Sequence, residues 1–502
     1  MNLSKNILAE IKEIEIPADD YFDLPEKVLQ FGTGVLLRGL PDYFIDKANK
    51  QNIFNGRIVV VKSTDGSSEN FVQQNYLYTQ CIRGIENGNN VEENSINASI
   101  SRIISAKNNW NEVLQCAANA ELQLIISNTT EVGIALTDDG INENPPASFP
   151  GKLLAFLYKR FTIFNGDISK GFIIIPTELI INNADKLLAI LIELSKKNNL
   201  SQAFLNWLTN ANHFCNSLVD RIVPGKPPKE QLNDIENTIG YKDQVIIVSE
   251  PYSLWAIETK NKLVKEILSF GKVDKGIIIA DDINIYRELK LRLLNGAHTF
   301  SCGLALLADF ATVKEAMDDE TFSAFVKQLM LNEICPSITE NNLSEEDAIN
   351  FSRKVLDRFR NPFIQHQWLG ITMQYSSKMC MRNVPVILNY IKRFDKNPSL
   401  MSLGFAAHIL FMKPVEVNAG KCFGEMNGNK YFINDDNANL YADAWKENNT
   451  ANVVKKILIN EGLWKTDLTK FNSFTQSIID DLDLLIKDKN GINNCIKSKL
   501  KK

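Results

Sequence analysis

The apolar residues of this chain fall into two textures. In the first half, short runs rich in β-branched residues recur without strict alternation, at 28–31, 57–62, 122–127, 172–175, 244–248 and 276–279. Runs of this kind fit parallel strands buried on both faces, with helices between them. Strand–helix alternation on this scale predicts an α/β doubly wound sheet. From about residue 282 the apolar positions recur at helical spacing instead, through 288–315, 321–334, 345–359, 363–378 and 383–393, and only 430–433 still reads as a strand. The pattern predicts an α/β domain over 1–281 and a mainly α-helical domain over 282–502.

Length and composition agree with this division. A chain of 502 residues exceeds one ordinary core. With 44% hydrophobic and 23% charged residues it reads as soluble and globular. A net charge of −5 gives no electrostatic case for nucleic acid or an anionic membrane as partner. No apolar run is long enough to span a bilayer, and residues 1–8 lack the apolar core of a secretory signal. The eight cysteines are scattered, without CxxC pairs or zinc-ligand spacing, so the expectation is a reducing, cytoplasmic setting and no metal. The basic stretch 497–502 reads as a solvated, frayed end.

Two stretches carry candidate chemistry. In "VLQFGTGVLLRG", Gly32 and Gly34 follow the first strand directly and a helix opens behind them. In a Rossmann unit such a turn lets the backbone approach a pyrophosphate seated at the helix N-terminus. Leu37 stands where the third glycine usually falls, and a plain tight turn also fits. The second strand runs into Asp65, placed either to bind adenosine ribose hydroxyls, which favours NAD over NADP, or to make a simple turn. Lys62 and Lys107 leave that choice open. In "ELKLRLLNGAHTF", Lys290, Asn295 and His298 interrupt an otherwise apolar helix. At α-helical spacing they fall within an arc of roughly 140°. A lysine there suits proton transfer, an asparagine amide stabilises a developing alkoxide, and a histidine bonds a substrate hydroxyl. Together they suit reversible alcohol–carbonyl chemistry, with a nucleotide domain supplying the hydride carrier. On spacing alone the same residues also read as a snorkelling lysine, a turn asparagine beside Gly296 and a satisfied core histidine.

The spacing Lys290-x4-Asn295-x2-His298 resembles the signature of the long-chain mannitol dehydrogenase family, the polyol-specific dehydrogenases and uronate reductases. Further matches follow in order: "QFGTGVLLRG" with its trailing Arg38, "SNTTEVGI" with Asn128, "PTELIINNADKL" with Asn183, "FCNSLVDRIVP" with Asp220, and "DRFRNPFIQHQ" with Arg358 or Arg360. The resemblance implies Lys290 as general acid/base, Asn295 and Asn183 at the oxyanion, and Asp220, His298 and Arg358 on the substrate. It implies NAD(H) at Gly32, Gly34, Arg38, Asp65 and Asn128, with no metal. The implied fold is a Rossmann-type domain followed by a helical domain similar to that of 6-phosphogluconate dehydrogenase, with the substrate held between them. The wording is nearest the branch that reduces D-tagaturonate to D-altronate with NADH. Fructuronate reduction, mannitol-type polyol oxidation and a non-catalytic nucleotide sensor are the alternatives. The implied partner is a small-molecule sugar acid, and the implied state a monomer or small homo-oligomer. A uronate also needs a cation for its carboxylate, for which Arg358, Arg360, Lys378 and Arg382 are the candidates.

Overall fold

The computed structural model describes residues 1–12, 14–64, 66–130, 132–339, 343–426, 428–487 and 492–500. The chain forms two compact units, one of Met1–Arg83 with Asn90–Ile283 and one of Gly84–Asn89 with Asn284–Lys502.

The first unit contains strands β1 (Glu26–Phe31), β2 (Arg57–Lys62), β3 (Tyr78–Glu86), β4 (Asn89–Asn97), β5 (Ile100–Ser105), β6 (Leu124–Ser127), β7 (Ile173–Pro176), β8 (His213–Phe214), β9 (Ser217–Asp220), β10 (Ile247–Ser249), β11 (Leu254–Glu258) and β12 (Ile277–Ala280), except that the tip joining β3 to β4, Gly84–Asn89, belongs to the second unit. Six of them form a parallel sheet in the order β5-β2-β1-β6-β7-β8. Its apolar runs are buried on both faces because successive side chains point to opposite sides. Leu29, Phe31, Val59, Val61 and Ile125 enter one core with Leu153 and Leu157 of helix Phe149–Ile163. Val28, Ile58, Val60, Leu124 and Ile126 enter another with Phe44 and Ile45 of helix Pro41–Lys50. The chain builds outward from β1 through β2 to β5, then returns to β6 on the other side of β1. The carboxyl ends of β1 and β6 therefore mark a topological switch point, where open α/β sheets bind ligands.

Two of the expected strands lie elsewhere. β10 pairs with β3 in a sheet of order β10-β3-β4, and β12 pairs with β11, which runs antiparallel to β9. A β-branched triplet specifies a strand and leaves its neighbour open. The β3–β4 hairpin has a readable signal in its sequence: Asn87-Gly88 both take positive φ, 52° and 77°, the requirement of a tight two-residue hairpin turn.

The second unit is mainly helical, with one small antiparallel sheet of β13 (Glu416–Asn418), β14 (Lys421–Met426) and β15 (Asn429–Phe432). Helix Ser399–Phe411 reads SLMSLGFAAHILF, apolar almost all round, and lies buried as that pattern requires. It packs closely on helix Ala297–Leu307. A Cβ on Gly404 would meet Phe300 O at 2.8 Å, so only glycine permits the approach. Among the described residues three stretches wind as π-helix: Lys290–Gly296, Leu329–Ile334 and Met379–Asn383. The basic end expected to fray is helical over Ile492–Leu500, and Lys499 pairs with the buried Asp481 at 2.6 Å. Among the described residues no helix is long and apolar enough to cross a membrane.

Candidate active site

In the first unit the candidate residues gather at the switch point. β1 ends at Phe31, and Gly32 follows with φ +125°, a conformation suited to glycine. A Cβ there would lie 2.9 Å from Leu37 Cδ1 and 3.0 Å from Asn128 O, so the turn is closed on that side. Leu37, in the place of a third glycine, is the residue that closes it. Gly34 caps the short helix Val35–Gly39, and no heavy atom lies within 4 Å of where its Cβ would stand. Asn128, just past β6, donates to Thr177 Oγ1 at 3.0 Å and so ties the ends of β6 and β7. A cavity of about 340 Å³ beyond the ends of β2 and β6 is lined by Ser63, Thr129, Val132, Gly133, Ser148 and Lys152, among others. Burial lowers the pKa of Lys152, whose Nζ donates to Ala147 O. Asp65 lies outside the described residues.

Other candidates of this unit are committed to its framework. Arg38 gives Nη1 to Val245 O at 2.6 Å, with its guanidinium over the rings of Phe71 and Tyr78. Asn183 is fully buried. Its Nδ2 donates to Pro176 O, Glu178 O and Ser217 O, and its Oδ1 accepts from Ala184 N and Ser217 N. This amide fastens β7 to β9 and has no donor left for a substrate carbonyl. Asp220 closes β9 and is buried. Glu178, which the sequence alone does not single out, lies in the PTEL segment after β7 and accepts from Thr129 N at 2.8 Å and Ser127 Oγ at 3.2 Å. Burial raises its pKa, against the hydrogen bonds from Thr129 and Ser127.

In the second unit Lys290, Asn295 and His298 do not share one α-helix. Lys290–Gly296 winds as a π-helix, followed by α-helix Ala297–Leu307. Bonds in a π-helix run i to i+5. Asn295 therefore sits roughly one turn above Lys290, nearer to it in angle than α-helical spacing implies. Both side chains are half-buried. A second π-helical stretch is bolted to the first. Arg292 Nη1 donates to Met381 O and Arg382 O, both at 2.8 Å, and Asn383 Nδ2 donates to Gly296 O at 3.3 Å.

His298 is 8% exposed. Its ring stacks on Phe359, with centroids 4.1 Å apart and planes 7° apart, and meets the His366 and Trp368 rings edge-on. Its Nε2 has no hydrogen-bond partner among the described residues. Burial, then the charges of His366, Arg358, Arg382 and Lys378, hold its pKa well below the usual value. The imidazole is therefore neutral near pH 7 and free to exchange a hydrogen bond. Arg358, 7% exposed, belongs to this neighbourhood, and Arg360 gives Nη2 to Ser323 Oγ.

The mannitol dehydrogenase Rossmann domain model matches residues 26–268, and the mannitol dehydrogenase C-terminal domain model matches 282–486. The altronate oxidoreductase of Halalkalibacterium halodurans is 34% identical over 475 residues, covering 92% of this chain and 91% of that protein. The altronate oxidoreductase of Bacillus subtilis is 35% identical over 466 residues, 92% of each. Two solved structures share the fold. The Pseudomonas fluorescens mannitol 2-dehydrogenase, in a ternary complex with NAD and D-mannitol, matches with a TM-score of 0.69 at 22% identity over 100% of both chains. A substrate-free D-sorbitol dehydrogenase matches with a TM-score of 0.78 at 17% identity, over 99% of this chain and 100% of its own. The chain belongs to the mannitol dehydrogenase family and is an oxidoreductase acting on CH–OH groups.

Proposed function

We propose that the protein interconverts D-tagaturonate and D-altronate with NADH and NAD, in galacturonate breakdown. The observation that carries this reading is the likeness to altronate oxidoreductases over nine-tenths of the chain. Nucleotide binding is assigned to residues 1–281, and acid–base and substrate groups to 282–502.

The residues at the switch point fit a dinucleotide. The closed turn at Gly32 with open space at Gly34 admits a pyrophosphate against backbone. The cavity reaching Ser63 and Thr129 is large enough for part of an adenosine. When bound, the cofactor supplies or takes up the hydride. Lys290, as an ammonium, gives its proton to the oxygen of the reduced carbonyl and recovers it in the reverse direction. The Asn295 amide donates to that oxygen as negative charge develops. His298 holds a substrate hydroxyl through its unpartnered Nε2. Asp220 is assigned to a second hydroxyl. Asn183, its amide already spent on the backbone, acts through the frame of β7 and β9.

The test is a panel of D-tagaturonate, D-fructuronate and D-fructose, each with NADH and NADPH. The expected result is a kcat/KM highest for tagaturonate with NADH. A clear preference for fructose would overturn the sugar-acid assignment, and cofactor binding without turnover of any of the three would make the protein a sensor.

A further inference from the structure

The helical unit contains two neighbouring cations that make no ion pair among the described residues; the carboxylate of Asp435 acts on Lys378 only from a distance. Lys378 and Arg382 stand four residues apart across helix Tyr375–Lys378 and the π-helical stretch Met379–Asn383. Lys378 Nζ donates to Ile371 O at 3.0 Å. Arg382 Nη1 donates to Thr299 Oγ1 at 3.1 Å and to Asn295 O at 3.5 Å. Its Nε is shielded from water and bonds to nothing among the described residues. Neither cation has a carboxylate within ion-pair distance among those residues. Like charges four residues apart destabilise a helix, and a partly buried cation without a counter-ion is costly. Burial and the charge of Arg382 both lower the pKa of Lys378. An anion arriving there relieves both costs.

The position suits one end of a six-carbon acid. Thr299 lies four residues beyond Asn295 on the continuing helix, roughly one helical turn of about 5.4 Å. The carboxylate and the keto carbon of such an acid are separated by a few bonds of about 1.5 Å each, a similar distance. The Nε–Nη2 edge of a guanidinium is suited to gripping a carboxylate with two parallel bonds. Arg358 is less suited, being almost fully buried and already engaged in the structure.

We propose that Arg382, supported by Lys378, binds the substrate carboxylate and sets the preference for sugar acids over uncharged ketoses and polyols. The assignment rests on the reading of the protein as a uronate reductase.

The experiment measures kcat/KM for a keto acid and for the uncharged ketose of the same carbon skeleton, in the wild-type enzyme, Arg382→Gln and Arg382→Lys. The ratio of acid to ketose is expected to fall about 100-fold in Arg382→Gln, mostly through KM, and about tenfold in Arg382→Lys. If the wild type reduces the acid and Arg382→Gln weakens both substrates equally, the carboxylate assignment is wrong while the uronate reading stands. If the wild type reduces only the uncharged ketose, the uronate reading fails and this assignment with it. Should Arg382→Gln not fold, Arg382→Lys carries the comparison, and an unchanged ratio there overturns the proposal.

Discussion

Lys290 and Asn295 differ in what their loss should do. A proton donor acts in the transition state, so Lys290→Ala is expected to lower kcat by about 10²–10⁴-fold. NADH affinity, measured by fluorescence titration, should stay close to wild type, and near-normal turnover would remove Lys290 from the mechanism. An alkoxide donor also acts mainly in the transition state, so Asn295→Ala should lower kcat by about 10²–10³-fold. A change confined to KM would make Asn295 a ground-state contact instead. The sequence singles out both residues and His298 within one short stretch. It could not separate Asn295 from Asn183, since both are amides in polar-looking segments. Only the bonds of Asn183 to Pro176, Glu178 and Ser217 distinguish a side chain used by the backbone from one left for a ligand. Likewise, four cations were indistinguishable as letters, whereas the surroundings of Arg358 and Arg382 differ.

Secondary-structure type was legible wherever an apolar run was long enough, and β2 was read to its ends. Pairing was less so: 247–249 and 277–280 are strands, but their partners depend on distant residues in β3 and β11. The π-helical winding of Lys290–Gly296 was hidden too, because the residue types are those of an α-helix and the winding depends on packing against Met379–Asn383. Its consequence is testable. Arg292→Ala, which removes the anchor to Met381 O and Arg382 O, should let the stretch relax toward α-helical winding, in which Lys290 and Asn295 stand roughly 140° apart. The expected variant is folded by circular dichroism and binds NADH, yet loses turnover to the level of Lys290→Ala. Full activity would mean that the π-helical winding plays no part in placing the pair. The glycine turn offers a contrast within one element. Gly32→Ala meets both a positive φ and contacts of 2.9 and 3.0 Å, so a loss of about 1–3 kcal/mol in thermal or denaturant unfolding is expected. Gly34→Ala has room and should melt near wild type, with its effect appearing in the KM for NADH. Equal melting of the two variants would contradict the geometry.

At the scale of the molecule, buried titratable groups of opposite kinds shape stability against pH. In the first unit, burial raises the Asp42 carboxyl to about 8, against the weaker pull of Gln30 and Arg38, and its Oδ1 has no partner among the described residues. In the second unit, burial raises Glu333 to about 7, although it accepts from Leu400 N and Met401 N. Burial also lowers His408 to about 3 and His298 well below its usual value. A carboxyl with a raised pKa gives stability below its unfolded value that is lost as pH rises through the folded one, because the folded chain then holds the extra proton. The buried histidines act oppositely: between their folded pKa and about 6.5 the unfolded chain binds the extra protons, so stability is lost as pH falls. From about pH 4.5 to 6.5 these two pairs of groups act in opposite directions. Above pH 6.5 the histidines are neutral in both states and only the carboxyls count, each contributing a slope of at most about 1.4 kcal/mol per pH unit. Calorimetric melting temperatures should therefore fall between pH 6.5 and 8. Asp42→Asn keeps the shape and removes the ionisation, so it should flatten that fall and melt above wild type near pH 6, where the unfolded wild-type chain already gains by ionising Asp42. A melting temperature that rises over this range in the wild type, or a fall unchanged by Asp42→Asn, would mean that Asp42 is ionised in its buried position and that Arg38 compensates it.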